Sequence, residues 1–233
     1  MKPEILPKSI RSFVIRAGRM TEAQARAFEE CWSRYGLSLS DGKIRLDEVF
    51  AEDKPLVIEI GFGMGDSLLA MAEANPQENY IGIEVHAPGV GRLMNGAKEK
   101  DLSNLRVYLA DATDVLSHCI DDNSVDRIQV FFPDPWHKKK HNKRRLIRKE
   151  FVEAVCAKLK IKGILHLATD WQEYAEQMFE ILDACSMLGN TATAAPYSER
   201  PSYRPLTKFE ARGERLGHGV WDLIFAKIDP DSQ

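Results

Sequence analysis

Cysteine is scarce and scattered: Cys31, Cys119, Cys156 and Cys185 are the four in 233 residues, and none forms a CxxC pair. That spacing argues against a zinc site and against a disulfide framework, and leaves the thiols as reduced packing residues. The six histidines include no HExxH or comparable ligand spacing. His86, His118 and His166 therefore read as packing or surface residues, and no metal is expected. Apolar runs stop at strand length, and the first residues, MKPEILPKSIRSFVIR, lack the apolar core of a secretory signal. A cytoplasmic protein with no membrane association is expected. Internal repeats and low-complexity tracts are missing too.

What is present is a chain with 44% hydrophobic and 29% charged residues and a formal net charge of -3. This suits one large α/β domain and is short for two. Residues 1–50 read as an N-terminal extension, with Arg11, Arg16, Arg19 and a helix from Thr21 to Tyr35 that Thr21 is placed to cap. Residues 51–233 read as a single globular domain in which strands alternate with helices, the pattern of a parallel sheet with crossover helices. Strands are expected at 56–60, 80–85, 105–110, 127–132, 163–169 and 220–227, and helices from the glycine turn through 74, toward 100, at 146–159 and at 171–188. Residues 189–219 hold three prolines and four glycines, and read as a long loop or hairpin over a sheet edge, where function tends to gather.

Glu59-Ile60-Gly61-Phe62-Gly63-Met64-Gly65-Asp66 closes a strand and opens a helix. Glycines there let a ligand approach the backbone and the helix N-terminal amides. A dinucleotide fingerprint requires glycine at 61, 63 and 66, but position 66 is Asp, whose charge would repel a pyrophosphate. Glu84 ends the next strand, where a carboxylate accepts from ribose hydroxyls, and Asp111 ends the third, within reach of an adenine edge. Taken singly, each acid reads as well as a helix cap or surface charge. Together they describe an adenosine pocket whose ligand carries a cationic tail in place of phosphates. S-adenosylmethionine, with its sulfonium, is such a ligand.

The stretch FPDPWHKKKHNKRRLIRK, 132–149, sets a stiff acidic turn against a basic arm. Pro133 and Pro135 restrict the backbone around Asp134. Six of the eight residues from Lys138 to Arg145 are Lys or Arg. A cationic patch on a mildly acidic protein implies a specific polyanion, although a solvated charged loop is the plain alternative.

These residues resemble the bacterial tRNA (guanine-N7-)-methyltransferases that act on the variable loop. The motifs that carry the likeness are Glu59 to Gly65, Ile81-Gly82-Ile83-Glu84-Val85, Phe131 to His141 with its PDPWHKKKH string, and Thr207-Lys208-Phe209-Glu210 followed by Gly217-His218. The resemblance spans about residues 10 to 228. It implies a Rossmann-like class I methyltransferase: a mostly parallel seven-stranded sheet, helices on both faces, an antiparallel C-terminal strand, and 51–233 as the S-adenosylmethionine-dependent domain. By it, Glu59, Gly61, Gly63, Glu84, Asp111 and Asp134 bind the donor, with Asp134 the catalytic residue. Lys138, Asp170, Thr207, Lys208, Phe209 and Glu210 would contact the substrate nucleotide. Lys140, His141, Asn142, Lys143, Arg144 and Arg145 would contact tRNA, the expected partner, methylated at guanosine 46 by a monomer or homodimer.

Guanine N7 has an in-plane lone pair and is unprotonated near neutrality, so attack on a sulfonium methyl needs orientation more than a general base. Asp134 suits a fixed acceptor for the guanine edge. Asp170 reads equally as a second acceptor or as a helix cap. Phe209 and Trp136 read either as base-stacking rings or as core, and Arg200, Arg204, Arg212 and Arg215 as added basic surface. Two rivals remain at this stage: an RNA-binding module without catalysis, and a nicotinamide dehydrogenase.

Overall fold

A computed structural model describes residues 2–4, 11–13, 21–193, 196–206, 210 and 219–229. Of these, 2–4 and 21–121 belong to one compact unit, and 11–13 and 122–229 to a second.

The first unit runs α1 (Glu22–Tyr35), β1 (Gly36–Leu37), α2 (Leu46–Val49), β2 (Leu56–Ile60), α3 (Asp66–Ala74), β3 (Asn79–Glu84), α4 (Ala87–Glu99), β4 (Leu105–Leu109) and α5 (Ala112–His118). Its strands lie in the order β1-β4-β3-β2, all parallel. Every residue of β2 and β3 is buried, which is why both are mostly apolar, with Glu59, Asn79 and Glu84 as the polar residues, instead of alternating. β3 passes so close beneath α3 that a Cβ on Gly82 would come within 2.7 Å of the Leu68 and Phe62 side chains. Thr21 stands just before α1, its carbonyl accepting the Ala25 N–H at 3.0 Å.

The second unit holds β5 (Val125–Phe131), α6 (Lys149–Lys158), β6 (Leu159–Thr169), α7 (Gln172–Asp183), β7 (Leu188–Asn190) and β8 (Trp221–Lys227). The order is β5-β6-β8-β7, with β5 and β6 parallel and β8 antiparallel to both neighbours. The expected α/β class with an antiparallel C-terminal strand is what the structure has. Eight strands stand among the described residues where seven were expected.

Three boundaries differ for physical reasons. Helix α6 begins at Lys149 because the chain leaves the 3₁₀ helix of 139–144 with non-helical backbone at Arg145 (ψ 136°) and is still extended at Arg148 (φ -140°, ψ 164°). β6 begins four residues early, and its pairing with β5 shifts between Val125 and Arg127, with Lys162 at φ 65° inside the irregular stretch. Helix α7 stops at Asp183, so Leu188 starts a strand on β8 instead of extending the helix.

Candidate active site

In the first unit the glycine turn is shaped by three left-handed residues, Gly61, Gly63 and Gly65, at φ 76°, 59° and 79°. A Cβ built on Gly61 or Gly63 meets nothing within 4 Å, so the backbone there faces open space that a ligand can enter. From below there is no slack: a Cβ on Gly89, in the first turn of α4, would sit 1.8 Å from the Gly63 carbonyl oxygen.

Glu84 fastens this turn. Its Oε2 accepts from Gly63 N–H at 2.8 Å, and its Oε1 from Val85 and His86 N–H at 2.6 and 3.0 Å. Charge-assisted bonds of this kind are the strong ones. Glu59 is buried on β2. Asp111, at the end of β4, caps α5 by accepting from Thr113 N–H at 2.9 Å and Thr113 Oγ1–H at 2.8 Å, so the helix-cap reading holds for it. The acids of β2, β3 and β4 thus stand at the C-terminal ends of adjacent parallel strands, the edge where open α/β sheets bind ligands.

Asp66 behaves differently from expectation. Arg92 Nε and Nη2 reach its Oδ1 at 3.0 and 2.7 Å. With that charge matched, repulsion of a pyrophosphate loses force, and the case against a dinucleotide rests on the missing third glycine.

In the second unit Asp134 is exposed, and its carboxylate has no hydrogen-bond partner among the described residues. Beyond its two prolines stand Phe132 and Trp136, both non-glycine residues at positive φ, 51° and 48°. Backbone in that region costs about 1 to 3 kcal/mol per residue and persists only where surroundings enforce it. Phe132 N–H is bonded to Ala168 O at 2.8 Å. Arg145 Nε donates to Pro135 O at 2.7 Å. The Asn142 amide, oriented to donate, reaches Trp136 O at 2.9 Å.

Arg145 is the departure that matters most here. It was expected on the tRNA-facing surface, yet it is 1% exposed. Besides Pro135 it bonds Gln177 and, at 3.1 Å, Glu173 of α7, and lies 4.7 Å from the Tyr174 ring centre. A cation so engaged braces the turn from behind. Burial also pushes the Tyr174 hydroxyl up to about 12, so it stays a neutral acceptor for Ile147 N–H.

Lys138, Lys139, Lys140 and Lys143 remain exposed on the 3₁₀ arm, with His141, Asn142 and Arg144 partly buried. Partial burial, then the cations Lys140, Arg144, Lys138 and Lys143, hold the His141 imidazole below its ordinary value. Trp136 is already occupied: Arg144 lies 4.9 Å over its ring, and its Nε1–H donates to Ser12 O at 3.3 Å.

The arm's turn meets the end of β6 through His137 and Trp171, whose rings lie edge to face at 4.2 Å. Asp134, Lys138 and Asp170 therefore sit on two turns following the paired strands β5 and β6. Asp170 does not cap α7, which has Trp171 at its N-cap with no side-chain bond; its carboxylate is exposed.

The remaining substrate-contact expectations divide. Thr207, Lys208 and Phe209 lie outside the described residues, as do Arg212, Arg215, Gly217 and His218. Glu210 is described and is 3% exposed. Arg204 was expected on the basic surface but is 1% exposed. It joins Glu210, Asp222, His166 and Tyr203 in one interior network that sequence reasoning missed, the only signal being a cluster of polar letters in 198–222. Asp222 accepts from His166 Nε2–H at 2.7 Å, so His166 Nδ1 is the acceptor for the Tyr203 hydroxyl at 2.9 Å.

Known proteins can be set beside this geometry. A family model described as "Putative methyltransferase" matches residues 53–223. The chain is 61% identical over 227 residues to a tRNA (guanine-N7-)-methyltransferase of Saccharophagus degradans, covering 97% of this chain and 99% of the relative. The chain belongs to the tRNA (guanine-N7-)-methyltransferase family. Another member of this family, from Chromohalobacter salexigens, is 54% identical over 225 residues, 96% of this chain and 92% of that one.

Among solved structures, a 16S rRNA (adenine-N1-)-methyltransferase of Catenulisporales acidiphilia, determined with its cosubstrate S-adenosylmethionine, matches at TM-score 0.52 and 16% identity over 82% of this chain and 95% of that one. An rRNA methylase of Streptococcus thermophilus matches at TM-score 0.52 and 12% identity, over 79% and 92%. At such identities the likeness is one of fold, and the fold is the Rossmann-like class I methyltransferase.

Proposed function

We propose that the protein methylates N7 of guanosine 46 in the tRNA variable loop with S-adenosylmethionine as donor. That it is a tRNA guanine-N7-methyltransferase follows from its family. The observation that carries the reading is the near-complete coverage at 61% identity. The nucleotide position is supported by the resemblance of the PDPWHKKKH segment.

The turn's residues fit the donor. Open space above Gly61 and Gly63, with the acids Glu59, Glu84 and Asp111 at successive strand ends, suits an adenosine that carries no phosphate. When bound, S-adenosylmethionine supplies an electrophilic methyl group on a cationic sulfur. Glu84 holds the glycine turn in shape through its bonds to Gly63, Val85 and His86 N–H, and would hold the donor's ribose.

Asp134 accepts from the guanine edge and offsets the positive charge that grows on the purine as N7 is alkylated. It need not remove a proton, because N7 has none to lose. The strained, braced backbone keeps that carboxylate in place, and orientation is the main contribution such a site makes. Lys138 and Asp170 flank the nucleotide, and the exposed lysines of the arm contact phosphates.

The test is incubation with methyl-labelled S-adenosylmethionine and unmodified tRNA, followed by nuclease digestion and mapping. Label in 7-methylguanosine at position 46 is expected. Label at another guanosine would overturn the position, and no labelled 7-methylguanosine the activity.

A further inference from the structure

We infer that Trp171 is the ring on which the target guanine stacks, its indole taking the face of the purine while the purine edge is left to Asp134 and Asp170. This rests on the methyltransferase reading above.

Of the exposed large hydrophobic side chains among the described residues, Met64, Ile161, Trp171, Met187 and Leu206, Trp171 alone is aromatic, and it is 38% exposed. A lone apolar side chain in solvent needs no explanation of its own, so its place decides what it does. Trp171 directly follows Asp170. Its indole meets the His137 ring at 4.2 Å with the planes 72° apart, and His137 stands just beyond Asp134 on the neighbouring turn. Because β5 and β6 pair in parallel, with Phe131 opposite Ala168, the two turns leave the same edge of the sheet side by side. The ring therefore joins the turns that carry both acids. Lys138, Lys139, Lys140 and Lys143 are exposed next along the chain, cations suited to the phosphates of the strand that carries the base.

The backbone beneath the ring is fixed. Trp171 N–H donates to Thr169 Oγ1 at 3.2 Å, and its carbonyl accepts from Tyr174 and Ala175 N–H, both at 3.0 Å. A ring planted at the head of α7 and steadied by His137 loses little freedom when a base lies on it. Trp136, nearer to Asp134 in the chain, already has Arg144 4.9 Å over its ring. The chemistry favours a contact to the purine face. The N7 lone pair lies in the plane of the base, so stacking leaves it free to attack. As N7 is alkylated the purine becomes cationic, and an indole face attracts a cation. The contact tightens in the transition state and so acts on rate, while tRNA affinity is carried mainly by phosphates.

Trp171→Leu and Trp171→Phe test the inference. Leucine keeps an apolar side chain at the head of the helix but removes the aromatic face, and phenylalanine keeps a face. In Trp171→Leu, single-turnover methylation at saturating tRNA is expected to slow about 5- to 150-fold, the range for losing one stacked base, with tRNA affinity changed less than about threefold. Trp171→Phe should recover most of the rate. A wild-type rate in Trp171→Leu, equal losses in the two variants, or a loss of tRNA affinity in step with rate would each overturn the inference.

A second measurement is tryptophan fluorescence of the wild type and of Trp171→Phe, each titrated with tRNA that is intact or abasic at position 46. Part of the quenching is expected to need both the base and Trp171. Quenching needs no methyl transfer, which separates the two claims. Quenching that depends on the base and on Trp171, alongside a wild type that makes no 7-methylguanosine, would remove the methyltransferase reading and leave the stacking. Labelled 7-methylguanosine at position 46 with quenching indifferent to both losses would remove the stacking alone.

Discussion

Asp134 shows how a single carboxylate can be made rigid by its neighbours. The prolines on either side were visible in the sequence, and so was the stiffness they impose. The left-handed Phe132 and Trp136 were not, because no residue type announces positive φ outside glycine and asparagine. Asp134→Asn should lower the single-turnover methylation rate about 100- to 1000-fold, the usual loss on removing one electrostatic stabiliser, while leaving tRNA binding nearly unchanged. A rate within tenfold of wild type would assign the carboxylate a minor role. Glu84 was legible as a strand-end acid, but its three backbone bonds were not. Glu84→Ala removes acceptors from three N–H groups, and calorimetry with S-adenosylhomocysteine should register a loss of about 10- to 100-fold in affinity. Glu84→Gln should fall between the two. Arg145 and Arg204 could not be read correctly at this scale, since a cation in a polar stretch gives no sign of the interior partners that bury it.

At the level of elements, the basic arm divides into outward and inward parts. Its 3₁₀ geometry leaves Lys139, Lys140 and Lys143 in solvent, while Arg145 is anchored against α7. Replacing the three lysines with Ala should reduce the log-log slope of tRNA affinity against salt by about 0.7 to 0.9 for each phosphate that is no longer neutralised. Arg145→Ala should leave that slope alone and lower the methylation rate instead. A slope that responds to Arg145 and ignores the lysines would reverse this assignment. The long central elements were legible because strands buried on both faces give continuous apolar runs, and helices between them give the 3.6-residue period. Short pieces were not: β1 is two residues, β7 three and α5 seven, too few for either period to stand out. β7 in particular continues the apolar pattern of α7, and only its pairing with β8 shows it to be a strand.

Across the whole molecule the charge is nearly balanced, yet the interior of the second unit carries a network whose protonation matters to stability. Burial holds the His166 imidazole below its ordinary value, with the Asp222 carboxylate pulling part of the way back. The unfolded chain therefore binds this proton at higher pH than the folded one, so the contribution is whole above about pH 6.5 and is lost as pH falls toward the folded value. Asp222 acts lower on the scale. Burial raises its carboxyl, but the bonds from His166 and Arg204 outweigh that and leave it below its ordinary value, so its share is lost only as pH drops beneath about 3.9. Thermal melts should show a falling midpoint between pH 7 and about 5, and His166→Gln should flatten that decline; an unaltered profile in the variant would place the titrating group elsewhere. The inward setting of Arg145 has a wider consequence for how this enzyme can change over time. The surface charge of the arm and the posture of the Asp134 loop are written in adjacent letters but obey separate physics, so drift among the outward lysines can change the one without disturbing the other.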